Sequence, residues 1–491
     1  MVSGNMSARY GVTNRRIWAT FTTFLIAGLL AALLAAIIGA GNEFLLVALS
    51  ICVLILPAIF QYLSKDRELF SPKNLVFFNL FIGVFLQTLV LCFYNEFGKN
   101  SLYLDPAIDF EKIVVGLSAI GISIFFFVIG YSFNPGGVGL GAHRDNYARY
   151  EVTIADVTKK RIVVLAILFG VVSLVSVIYF FLAFDVLGDL SRYSVKRHSE
   201  SGGRAGIARF GMKFSQIACV IVFAYHLSCK ARGKRSGTLG LFVVLLALAS
   251  VGPFVSSSRS ALIYLLIGVF AVHHYTTGGW RIKEMRNAVI LILVVLLSLG
   301  ALRFVQQRSI SFAEYEEEVG LVGSVGRIAA SNNFLGVKKT ASLIDMVPSN
   351  VPHTYGSTYF LWLIAPVPRA IWEEKPVVRI GGVLGSTVFG TRESNGIPPG
   401  FVGEAYLNFG WFGIPLAAIL FGAIVRRFYE SYGRKAYSHS RSLLIYSLLF
   451  PIVAFASVSS DFTGFVSRAG QTLIPLVIAF WIIGLRKNRS Y

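Results

Sequence analysis

Residues 17–40 read IWATFTTFLIAGLLAALLAAIIGA, without one charged side chain. About 20 apolar residues in α-helical form cross the hydrocarbon core of a bilayer, and this stretch is long enough to do so. Arg15 and Arg16 precede it. It is longer than a signal-peptide core and has no convincing small-residue cleavage site, so it reads as an uncleaved first membrane helix. Runs of the same kind recur at roughly 44–63, 75–94, 112–133, 162–184, 209–229, 238–256, 260–276, 287–304, 405–425, 442–459 and 465–485. The expected fold is therefore an all-α polytopic integral membrane protein with about twelve transmembrane helices and one large extracytoplasmic loop. It divides into an N-terminal transmembrane bundle (1–304), the loop (305–404) and C-terminal transmembrane helices (405–491).

The composition excludes a soluble globular domain: of 491 residues 55% are hydrophobic, only 14% are charged and 41 are Phe. A formal charge of +20 in such a chain points to cytoplasmic loops beside anionic headgroups, and argues against nucleic acid as a partner. Cys52, Cys92, Cys219 and Cys229 all fall in apolar runs, away from any metal or disulfide spacing, and read as small core hydrophobes. With the N-terminus cytoplasmic, alternate connections carry clustered bases, among them Lys65, Arg67 and Lys73, then Lys230, Arg232, Lys234 and Arg235, then Arg426 and Arg427. The intervening connection 95–111 is mostly acidic. This is the positive-inside pattern, and it puts both termini in the cytoplasm.

Two outer segments break that rule. Residues 185–210, DVLGDLSRYSVKRHSESGGRAGIARF, carry Arg192, Lys196, Arg197, Arg204 and Arg209. The large loop carries Arg369, Lys375, Arg379 and Arg392 among other bases. Either an anionic ligand is held there through guanidinium forks, or the bases pair with neighbouring acids such as Glu373, Glu374 and Glu393. Arg259 and Arg303 sit near expected helix ends, where each faces a polar cavity or snorkels to the interface. Apart from these the spans read as poor in buried charge.

The loop itself is dense in Pro, Gly, Trp, Arg and Glu: GSTYFLWLIAPVPRAIWEEKPVVRIGG at 356–382, then TRESNGIPPGFVGEAYLNFGWFG at 391–413. Residues 319–346 have apolar side chains at near-helical spacing and suggest an amphipathic helix on the membrane surface. Residues 355–372, punctuated by proline, suggest a short or re-entrant segment capping a cavity.

PVPRAIWEEKP, the glycine-rich interval after it, PPGFVGEAYLNFGWFG, and the earlier GDLSRYSVKR and SSSRSALI segments resemble the O-antigen polymerase (Wzy-type) and oligosaccharide repeat-unit polymerase family. The resemblance implies a bacterial inner-membrane glycosyltransferase. Such an enzyme polymerises undecaprenyl-diphosphate-linked repeat units into O-antigen, capsule or exopolysaccharide, with no cofactor and no metal. The other partners it implies are the lipid bilayer and a chain-length regulator protein. Because the leaving group would be a lipid diphosphate, preorganised arginines are the expected stabilisers of its charge. Arg369, Arg379 and Arg392 are the first candidates. Arg192, Lys196, Arg197, Arg204, Arg259, Arg303, Trp372 and Lys375 are the expected substrate-binding set.

Glu404, just before an expected helix, is either a general base for the acceptor hydroxyl or a structural partner for a helix dipole or an arginine. His353 is a second candidate base, or an ordinary loop histidine. Trp362, Trp372, Tyr355 and Tyr359 either stack on sugar faces or anchor at the interface. His273 and His274, being adjacent, point to different sides of a helix and make a poor metal pair. Three other readings compete with the polymerase: an O-antigen ligase, a lipid-linked oligosaccharide flippase or transporter, in which charge would be expected within the spans, and a purely structural partner in a polysaccharide export complex.

Overall fold

The computed structural model describes residues 3–38, 41–63, 68–93, 109–133, 154–183, 203–255, 259–280, 282–308, 310–331, 334–365, 367, 372–378, 380–388 and 396–485. At 3–18, 203–205, 254, 255, 259, 282, 303 and 306–308 it describes the backbone alone. Every regular element among the described residues is helical. Among the described residues eleven helices are long and apolar enough to cross a membrane: Ala19–Ile37, Asn42–Leu63, Pro72–Cys92, Phe110–Ser132, Lys159–Ala183, Gly206–Ala231, Ser260–Thr277, Lys283–Leu302, Gly400–Tyr437, Ser440–Ser459 and Phe462–Ile483. The span expected at 238–256 is also a helix, Leu239–Val255, of 17 residues. At 1.5 Å per residue its described length is about 25 Å, and residues 256–258, which follow it, lie outside the described residues. Phe24, Leu30, Ile37 and Trp481 stand exposed. Lipid, not water, is the solvent that tolerates such faces.

The chain forms two compact units. The first comprises Met1–Leu140, Glu316–Phe428 and Val453–Ser467; the second comprises Gly141–Tyr315, Tyr429–Ile452 and Arg468–Tyr491.

In the first unit, Phe110–Ser132 packs against both Gly400–Phe428 and Val337–Met346. A Cβ on Gly130 would lie 2.1 Å from the Ile419 carbonyl oxygen, and one on Gly422 2.4 Å from that of Phe127. Only glycine lets these two backbones touch, as small residues do between membrane helices. At that end of the unit the Arg426 guanidinium lies 5.3 Å from the centre of the Tyr131 ring, and the Lys73 ammonium 5.6 Å from that of Phe60. The Tyr131 hydroxyl is 3.1 Å from Ser71 Oγ.

In the second unit, Lys159–Ala183 packs on Gly203–Ala231, which also receives Leu239–Val255 and Arg259–Thr277. The Ser173 hydroxyl donates to Ser215 Oγ at 2.8 Å across the first of these contacts. The Trp280 indole donates to His273 Nδ1 at 2.8 Å, and the Trp280 backbone N–H donates to His274 Nδ1 at 3.1 Å. The two histidines thus fasten a helix end.

Three expectations need correction. The surface helix expected over 319–346 is two helices, Gly320–Ala329 and Val337–Met346, with extended Gly336 preceding the second. Lys338 and Lys339 are buried, because the second helix covers Phe110–Ser132, with Ala341 seated against Gly116. The spans are also less poor in charge than expected: Lys213, Arg468 and Glu404 lie within Gly206–Ala231, Phe462–Ile483 and Gly400–Tyr437. Cys219 and Cys229 are buried as expected, but Cys52 is exposed on its helix, where lipid suits a thiol as well as a core does.

Candidate functional site

The long helix Gly400–Phe428 is broken at Phe409 and Gly410. Gly410 has φ 59° and ψ −150°, a region essentially reserved for glycine. Three residues on, a Cβ at Gly413 would come within 2.3 Å of the Ala405 carbonyl oxygen. The glycines of LNFGWFG therefore make a tight break, and the carbonyls before it lose their helical partners. The turn at residues 353–356 supplies replacements. The Thr354 N–H donates to the Leu407 carbonyl at 3.0 Å, and the Tyr355 N–H donates to that of Asn408 at 3.2 Å. His353 Nδ1 also reaches the Leu407 carbonyl at 3.2 Å. With Nδ1 as the donor, its remaining ring nitrogen is the acceptor.

Asn408, fully buried, ties this turn to the helix. Its Oδ1 accepts from the Thr354 hydroxyl and from the Gly356 N–H, both at 2.8 Å. Its Nδ2 donates to Thr358 Oγ1 at 2.7 Å and to the Glu404 carbonyl at 2.8 Å. An amide has two acceptor sites and two donors, and here all four are used. The reading of the sequence passed over Asn408. The break-forming glycines just after it were the available signal, since an interrupted helix needs a side chain to hold its loose end.

From Asn408 the network runs through the Thr358 hydroxyl to the Glu404 carboxylate. Glu404 is 3% exposed, and its Oε2 accepts the Phe462 N–H at 2.6 Å. It does not precede a helix, as the sequence suggested. Pro398 and Pro399 end before it, the helix begins at Gly400, and Glu404 lies in its second turn. The N-terminus that it caps belongs to a different helix, Phe462–Ile483. Asp461, 5% exposed, caps the same end by accepting from the Gly464 N–H at 3.0 Å, and its charge acts on Glu404. Two carboxylates at one positive helix end are a stable use of the dipole. Tyr359 packs edge-on against Phe462, ring centres 5.5 Å apart. Burial, and then the Glu404 carboxylate, push its phenol above the usual range. Close by, Lys339 donates to the Ser459 carbonyl at 3.1 Å. Burial pushes its ammonium down to about 7.

Among the expected site residues, the structure describes the side chains of Glu404, Trp372 and Lys375. Lys375 is buried and its ammonium donates to the carbonyls of Ala365 and Val367, at 2.9 and 2.7 Å, closing the end of the one-turn helix Leu361–Ile364. Trp372 is exposed, as are Tyr355, Phe360 and Trp362. Arg369, Arg379, Arg392, Arg192, Lys196 and Arg197 lie outside the described residues. Arg204, Arg259 and Arg303 lie on Gly203–Ala231, Arg259–Thr277 and Ile282–Arg308, with only their backbones described.

The arrangement combines a buried hydrogen-bonded anchor at Asn408 with exposed aromatic side chains at Tyr355, Phe360 and Trp362. Comparison with curated proteins and with solved structures gives no match. The family model for O-antigen polysaccharide polymerase Wzy matches residues 17–488, nearly the whole chain. On that match the chain belongs to the O-antigen polysaccharide polymerase Wzy family.

Proposed function

We propose that this protein lengthens a surface polysaccharide by transferring a growing glycan from its undecaprenyl diphosphate carrier to the sugar of the next lipid-linked repeat unit. The observation that carries this reading is the family match over residues 17–488, on a chain whose described residues include eleven helices long and apolar enough to cross a membrane. In the transfer, the bond from the anomeric carbon to phosphate oxygen breaks and a bond to the acceptor hydroxyl oxygen forms. The electron pair leaves with the lipid diphosphate, and the hydroxyl proton passes to a base. Arg369, Arg379 and Arg392 are proposed to stabilise the diphosphate in place of a metal, with Arg192, Lys196, Arg197 and Arg204 holding the substrates.

Of the two readings of Glu404, the geometry favours the structural one: its carboxylate already accepts from Phe462 and Thr358 and is buried among them. Such a group positions the 353–359 turn and leaves proton abstraction to another residue.

The reaction is placed on the outer face of the bacterial cytoplasmic membrane, with both termini inside. Lys73 and Arg426, both assigned to the cytoplasmic side by their charge, meet at the Phe60–Tyr131 aromatic pair of the first unit. Lys112 and Asp345, both assigned to the outer side, pair at 2.9 Å. Each contact joins residues that the loop charges put on one and the same side of the membrane.

The test is a size-resolved analysis of lipid-linked glycans in cells with and without the protein. Single repeat units in the deletion, and a ladder restored by expression, are the expected result. Full-length polymer left on the carrier would mean a ligase, and units trapped on the cytoplasmic face would mean a flippase. Arg369→Ala is expected to abolish the ladder at unchanged membrane abundance; normal chain lengths would remove Arg369 from the site.

A further inference from the structure

In the second unit, Arg209 and Lys213 lie four residues apart on Gly203–Ala231 and so share one face of that helix. Gln216, one turn further, belongs to the same face. The Lys213 ammonium donates to Gln216 Oε1 at 2.9 Å. Arg209 Nε is buried and has no hydrogen-bond partner. Arg468 enters from Phe462–Ile483, near enough for its charge to act on Lys213 and on Tyr264 of Arg259–Thr277. No Asp or Glu among the described residues pairs with Arg209, Lys213 or Arg468. Three cations are thus gathered within membrane-crossing helices, with a neutral carboxamide as the one hydrogen-bonding side chain described for them.

Charge inside a membrane bundle is costly, and like charges in a medium of low dielectric raise that cost. What balances such a group is an anion. A carboxylate would answer one charge of three; a phosphate or diphosphate answers two or more and offers several oxygens to two guanidinium forks.

We infer that Arg209, Lys213 and Arg468 form a binding site for the phosphate or diphosphate headgroup of a membrane lipid. The arginines grip the oxygens by paired N–H donors, while Lys213 supplies a point charge steadied by Gln216. Identifying that lipid with the polymer's own carrier rests on the function proposed above; the anion site itself does not.

The experiment uses the full chain in phosphatidylcholine nanodiscs, with farnesyl diphosphate as the probe. The unaltered protein is expected to bind it, and each of Arg209→Gln, Lys213→Gln and Arg468→Gln to bind about tenfold more weakly, the loss of one charge-assisted contact. Competition by phosphatidylglycerol placed in the disc would identify an ordinary lipid headgroup as the occupant. Competition by inorganic diphosphate alone would identify the free anion. Equal affinity in all three variants would overturn the site. Should a variant fail to fold, the unaltered protein serves: farnesyl diphosphate is expected to slow acylation of Lys213 by an amine-directed reagent about tenfold, and no protection would overturn the proposal. A chain that binds the probe through these residues but builds no polymer in cells would sink the polymerase reading and leave this site standing.

Discussion

Asn408 and Lys213 each stand at the centre of a polar group in apolar surroundings, and the two groups are balanced in opposite ways. Around Asn408 each amide donor and acceptor has a partner, and the chain continues through Thr358 to Glu404 and the Phe462 N–H. Around Lys213 three positive charges have Gln216 as their described hydrogen-bonding side chain, and Arg209 Nε is left without an acceptor. A satisfied buried network rigidifies the backbone that it joins. An unsatisfied one of a single sign holds its place only if something outside the chain completes it. The first group is a scaffold, and the second a receptacle.

The contrast makes opposite predictions for removing a polar group. Asn408→Leu leaves the Thr354 hydroxyl, the Gly356 N–H and the Thr358 hydroxyl short of partners, at about 1–3 kcal/mol for each buried group. The expected result is a loss of about 4 kcal/mol, seen as a large fall in melting temperature in detergent and in membrane abundance. Asn408→Asp keeps both acceptor bonds but sets a carboxylate oxygen against the Glu404 carbonyl and buries an unpaired charge, so it is expected to lose at least as much. An Asn408→Leu protein that melts with the unaltered one would break the comparison at its stronger side.

Lys339 provides an intermediate case, a buried ammonium with a single described acceptor. Its folded pKa, about 7, lies below the ordinary 10.5. Between those values the unfolded chain holds a proton that the folded chain has released, so stability rises with pH across the window and is flat below it. Lys339→Met is expected to abolish that rise. A pH-stability curve from 6 to about 11 that keeps the same slope in the variant would assign the rise to other groups.

Arg468→Gln should act in the reverse sense to Asn408→Leu. Without ligand, relief of like-charge repulsion is expected to raise stability by about 1 kcal/mol. A destabilised variant would mean that Arg468 already has a counter-charge. The smallest effect is expected for Glu404→Gln, which keeps an oxygen to accept the Phe462 N–H. Polymer output should stay within about threefold, whereas a loss of 100-fold or more would identify Glu404 as the base.

The class of the protein was legible in the sequence because hydrophobic length is a local property: 17–40 is readable as a span without knowing its neighbours. Among the described residues all the long apolar runs are helical, Leu239–Val255 included. The break at Phe409–Gly410 and the helix start at Gly400 were not read from the sequence, which suggested an unbroken span at 405–425, although the glycines of LNFGWFG and the prolines before Glu404 carry the backbone preferences that set them. The site was less legible. The stretch 319–346, with Lys338 and Lys339, read as a membrane-surface helix because nothing local says that Val337–Met346 packs on the glycine-bearing helix Phe110–Ser132.

By itself the sequence determined that this chain is a multi-spanning helical membrane protein, and its motifs pointed to the family. Only the tertiary structure decided which charges meet. Glu404 caps Phe462, 58 positions away, and not its own helix. Asn408, an unremarked amide in the sequence, closes the break in the long helix, and Arg468 joins Lys213 from a helix at the far end of the chain. The physical reason is range: insertion depends on summed apolar length along a segment, whereas hydrogen bonds and charge effects depend on distances of a few ångströms that only packing sets.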